Sequence, residues 1–182
     1  MFRKFLPCLA LVLAASAFAD EIENPAYENW AQFKVGAMVE YKTVSDVAGN
    51  KTESVITYTL LEVTDEKAVI EMKTSTIMAG QKYDTPAVKM EHPAVLEATP
   101  EGTTEQPEVE QTKGEESIDA AGQTWATTWY ESATDQNGMK TTSRTWTSDD
   151  VPGTLVKSVT NIDGAMKMTT EMILVTIKAE KN

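Results

Sequence analysis

The chain has 182 residues, 28 of them acidic against 16 basic, a net charge of −12 at pH 7. That excess argues against nucleic acid and anionic membrane surfaces as partners, since both call for a cationic face. One cysteine and one histidine leave too little for a disulfide framework, a cysteine-ligated metal or a His-rich zinc site.

The N-terminus reads as a secretory signal. Met1-Phe2-Arg3-Lys4 is a short basic start, Phe5 to Ala17 carries no charge, and Ala17-Phe18-Ala19 places small residues at the two recognition positions. The uncharged run is too short to span about 30 Å of hydrocarbon. Cys8 lies inside it and not at its exit, which argues against a lipidated cysteine. The expectation is an exported protein, periplasmic or extracellular, with residues 1–19 removed after Ala19. Cleavage would take Arg3, Lys4 and Cys8, leaving 14 basic against 28 acidic residues, a net charge of −14, and no thiol. No later stretch is apolar enough for a membrane helix, so an integral membrane protein is not expected.

Residues 20–182 read as one β domain. Asn24-Pro25 offers an N-cap followed by proline at the first helical position, and Tyr27, Trp30 and Ala31 form an apolar stripe on a short helix ending before Gly36. After it the chain is rich in Thr, Val, Ile, Tyr and Trp and is cut by turn signals. The expected strands are 37–46, 51–63, 67–78, 81–91, 115–119, 123–134, 139–148, 154–162 and 165–178. The fold class is mainly β: an antiparallel meander of about nine strands, bent into a curved sheet or half-barrel, with one short N-terminal helix. Residues 94–113 carry repeated Glu, Pro100 and Pro107 but no aromatic side chain, and are expected to form an acidic flexible loop.

Two hairpins allow a register to be written. A two-residue turn at Asn137-Gly138 sets Trp129 opposite Trp146, Glu131 opposite Arg144 and Asp135 opposite Lys140, with two charge pairs. A turn at Asp65-Glu66 sets Val63 against Ala68, Leu61 against Ile70 and Thr59 against Met72, with that face inward. A one-residue slip would bring Glu62 and Glu71 inside.

Catalytic chemistry is hard to place. His92 stands beside Pro93 without a nucleophile motif, and it reads as a structural histidine. Carboxylates are numerous, but no spacing singles out a pair. Asp135-Gln136-Asn137-Gly138 and Asn161-Ile162-Asp163-Gly164 lack the alternating acids and final Glu of a calcium loop. No cofactor or metal is expected. Met166, Met168 and Met172, at even spacing, would share a strand face. With Met72 they read as adaptable core or cavity lining before they read as copper ligands. Trp125, Trp129 and Trp146 read as sheet packing and then as a ligand platform. The candidate ligand-binding residues are therefore Met72, Trp125, Trp129, Trp146, Met166, Met168 and Met172.

A signal peptide, a short helix and a long meander, with the run Arg144-Thr-Trp146-Thr-Ser-Asp-Asp-Val151-Pro152-Gly153-Thr-Leu155-Val-Lys157, resemble the LolA/LolB/LppX-like lipoprotein-carrier superfamily. That resemblance implies a sheet bent around a hydrophobic cavity. The chain also looks like a family of small uncharacterised exported bacterial proteins, which implies no activity. The leading expectation is a non-enzymatic binding protein for an apolar small molecule or lipid. The alternatives are an envelope structural or protein-interaction module without ligand, and a carboxylate-dependent hydrolase.

Overall fold

The helix signal is realised at α1 (Pro25–Ala31), in a computed structural model that describes residues 21–78, 80–97, 110–136 and 138–182. Asn24 caps it, its Oδ1 accepting from the backbone N–H of Ala26 at 3.1 Å, with proline in the first turn. The cap also ties the helix down: Asn24 Nδ2 donates to Pro93 O at 2.7 Å, and its backbone N–H to Ala94 O at 3.0 Å. Trp30 and Phe33 bury against the sheet.

The strands of the main sheet are β2 (Met38–Val47), β3 (Asn50–Val63), β4 (Lys67–Met78), β5 (Gln81–Asp84), β6 (Val88–Pro93), β8 (Glu110–Ala120), β9 (Gln123–Gln136), β10 (Met139–Thr147), β11 (Leu155–Asp163) and β12 (Met168–Lys178). β1 (Glu21–Glu23) and β7 (Val95–Glu97) form a separate two-stranded ribbon. The fold is mainly β with one short helix, and the main sheet is antiparallel, ten-stranded and not closed into a barrel. Its order is β5-β4-β3-β2-β12-β11-β10-β9-β8, with β6 beside β4 next to β5. Two hairpin runs thus meet where β2 pairs with β12, and the segments 81–91 and 115–119 lie at opposite edges.

Turn chemistry explains the hairpins. Ala48-Gly49 and Ala121-Gly122 both have positive φ at the two central residues, the type I′ geometry that suits strand twist. The expected strand 81–91 is two strands, because Pro86 has no N–H to give a ladder and pairing lapses between Asp84 and Val88. The expected loop 94–113 contains ordered strand at each end, in β7 and in the start of β8; residues 98–109 lie outside the described residues, as does the segment 1–19.

The β9–β10 register is as expected, with Trp129 opposite Trp146, Glu131 opposite Arg144 and Asp135 opposite Lys140. The ion pair is not: Arg144 turns from Glu131 to Glu116 of β8, at 3.2 Å. The β3–β4 register begins as expected with Val63 opposite Ala68, then shifts at a bulge between Leu60 and Glu62. Beyond it Leu60 opposes Ile70 and Tyr58 opposes Met72, so Leu60 points into the core in place of Leu61. The bulge lets β3 keep Glu62 exposed near the turn and still deliver Leu60 and Tyr58 to the inner face.

The core is built from Val39, Leu60, Ile70, Val151, Val156 and Leu174, all essentially inaccessible. Each such side chain contributes about 1.5–3 kcal/mol by leaving water. Sheet curvature brings β8 back against β11 and β12, so that Ala120 and Trp125 join the same core.

Candidate functional site

The bend of the sheet, α1 above it and the 148–154 turn border a half-open apolar pocket of about 440 Å³. Side chains alternate across a strand, so Val39 and Tyr41 of β2 reach it together with Tyr58 of β3, Ile70 of β4 and Met90 and His92 of β6. Trp30 comes from α1 and Leu155 from β11. Among the described residues that line it there is no Lys, Arg, Asp or Glu.

The rim is fixed by buried polar contacts. Asn29, 5% exposed, accepts from Gly153 N–H at 2.6 Å through Oδ1 and reaches Asp149 O through Nδ2 at 3.5 Å. Gly153 has φ +78° and lies under Trp30, where an added Cβ would come 3.3 Å from the indole. Tyr41 donates from its hydroxyl to Leu155 O at 2.8 Å and meets Tyr58 edge to face, ring centroids 6.0 Å apart. Burial pushes the Tyr41 phenol well above its ordinary range, and the neighbouring Tyr58 adds to this; burial alone raises Tyr58.

A second cluster lies on the opposite face of the sheet. The Arg144 guanidinium stacks on Trp129, 4.1 Å from the ring centroid, and lies 4.9 Å from that of Trp146. Glu116 accepts from Arg144 at 3.2 Å and from the indole N–H of Trp146 at 2.9 Å. Gly114 of β8 lies against Trp129 with no room for a side chain. These contacts are internal to the sheet, and they leave the indoles packed on protein. An acid-lined polar cleft with Glu115, Glu116, Asp149 and Asp150 lies nearby, where Asp150 pairs with Lys181 at 2.7 Å.

The seven sequence candidates therefore fall in three places. Met72, Met168 and Met172 share the face that carries Tyr41 and Tyr58, and Met172 packs on the core. Trp129 and Trp146 pair on the other face, while Trp125, near the β8–β9 turn, is buried in the core and donates to Ala120 O at 3.0 Å. Met166 does not share a strand face with Met168 and Met172. The turn after Asp163 takes up residues 164–167, so Met166 precedes β12 and is 67% exposed. None of the seven lines the apolar pocket. Its lining spans Pro25 to Leu155 and no local motif marks it; the visible signal was the alternation of Val39 with Tyr41 and of Tyr58 with Leu60.

No family model and no curated protein matches the chain. A solved structure of a Bacteroides fragilis protein, described as exported and of YmcC-like fold, is similar at 10% identity with a TM-score of 0.46. The likeness covers 81% of this chain and 99% of that one. The lipoprotein-carrier resemblance gains no support from these comparisons. Among the described residues no helix is long and apolar enough to cross a membrane.

Proposed function

We propose that this protein is a non-enzymatic binding protein that, after export and removal of residues 1–19, holds a small apolar ligand beneath α1. The observation that carries the reading is the 440 Å³ pocket, whose described lining holds no charged side chain. Its size falls within the range of small-molecule sites, and a few polar groups among aromatic and aliphatic walls are what such sites present. Met90, on β6, supplies an adaptable side chain at the wall.

The test is titration of the purified protein with an apolar fluorescent dye, together with organic extraction and mass spectrometry of what co-purifies. Saturable one-site binding that falls at least tenfold in Met90→Trp supports the reading. Absence of saturable binding sinks it.

A second reading, a protein-interaction module, is favoured by one observation. The sheet is not closed, and among the described strands β8 has a neighbour on one side only. Concentration-dependent association abolished by a proline at an outward-facing N–H of β8 would support it.

A further inference from the structure

The polar groups of the apolar pocket are not equivalent. Tyr41 spends its hydroxyl on Leu155 O, and Asn29 is engaged with Gly153 and Asp149. Tyr58, His92 and Thr154 line the same space. Beside the engaged Tyr41 and Asn29, the pocket thus presents a phenol, an imidazole and a hydroxyl to an occupant. The phenol and the imidazole can donate to a hydroxyl, ketone or ester oxygen and can accept from a hydroxyl.

A carboxylate would fare differently. Entering the pocket strips its hydration, and no cationic residue among the described lining repays that loss. The net charge of −12 adds a repulsive field on approach. Burial also raises the Tyr58 phenol, in keeping with a wall that disfavours an anion.

We infer that the pocket takes an uncharged amphiphile, an aliphatic chain ending in a hydroxyl or carbonyl, and rejects the carboxylate of the same chain length. The inference rests on the binding reading above and narrows it to a ligand class. Tyr58 and His92 hold the polar end while Trp30, Ile70, Met90 and Leu155 surround the chain.

The experiment is competition at pH 8 between a pocket-bound apolar dye and either 1-dodecanol or dodecanoate. Both are kept below their aggregation limits. Dodecanol should displace the dye at a concentration at least tenfold lower than dodecanoate, and the difference should persist in 0.5 M salt, which screens the long-range field. Tyr58→Phe, checked for folding by circular dichroism, should weaken dodecanol about fivefold relative to the dye, each affinity measured on the variant itself. Equal or tighter binding of dodecanoate, or a dye displaced by neither compound, overturns the inference and leaves the pocket reading standing. A protein that binds no dye overturns both.

Discussion

Asn29 Oδ1 and the backbone N–H of Gly153 are 2.6 Å apart, a single hydrogen bond joining α1 to a turn 124 residues further along the chain. It holds the helix over the pocket, with the Trp30 indole lying against Gly153. Asn29→Ala leaves that N–H without its partner, and should destabilise the fold by about 1–3 kcal/mol. Urea denaturation would show the midpoint falling while the slope stays constant. An unchanged midpoint would mean that water replaces the amide there.

Gly114 permits the close approach of β8 to Trp129. A Cβ at that position would lie 2.7 Å from the indole, so Gly114→Ala must displace the ring. The displaced indole would loosen its stack with Arg144. A loss of about 1–3 kcal/mol is expected, with altered near-ultraviolet circular dichroism from the tryptophans. Wild-type stability in this variant would rule out a close contact between Gly114 and Trp129.

The bulge in β3 makes neighbouring leucines unequal. Leu60 is fully buried, whereas Leu61, unpaired in the bulge, is only half-buried. Leu60→Ala should cost about 2–5 kcal/mol, and Leu61→Ala clearly less. The reverse order in thermal or urea denaturation would restore the unbulged register.

Alkaline pH should weaken the fold through Tyr41 and Tyr58, both raised above the ordinary value of 10.0. Below pH 10 both tyrosines are protonated in either state, and stability is independent of them. Above it the unfolded chain releases its protons first, so stability falls as pH rises towards the folded values. The slope approaches about 1.4 kcal/mol per pH unit for a fully shifted group. Tyr41 is the more buried and supplies most of the effect. Tyr41→Phe should lose about 1 kcal/mol at neutral pH with its bond to Leu155, and should flatten the decline above pH 10. An unchanged alkaline slope would remove Tyr41 as its source.

Much of the fold was legible because its signals are local. Asn24-Pro25 set the helix, and the Asn137-Gly138 signal in the sequence predicts the observed pairing of Trp129 with Trp146. The bulge at Leu61 was not legible, since it answers to what Leu60 meets in the core and not to its own neighbours. β1 and β7, three residues each, are too short to show alternation. The pocket was missed for a related reason: Trp30, Tyr58, His92 and Leu155 converge only through the bend of the sheet. The tryptophans drew attention by their chemistry, yet Trp125 and Trp146 direct their indole N–H groups to Ala120 and Glu116 within the protein.

The seam between β2 and β12 has a consequence for the order of assembly. Met38 pairs with Lys178 and Tyr41 with Leu174, whereas β2 to β4 and β8 to β12 are built from neighbouring hairpins. Local hairpins form early, and the distant pairing bears the loop-closure entropy and sets the slow step. In a chain delivered from its N-terminus, β2 waits with one edge unpaired until β12 arrives. Val39 and Tyr41 stay without part of their cover in that interval, so the N-terminal sheet is the stretch most in need of protection from aggregation during biogenesis.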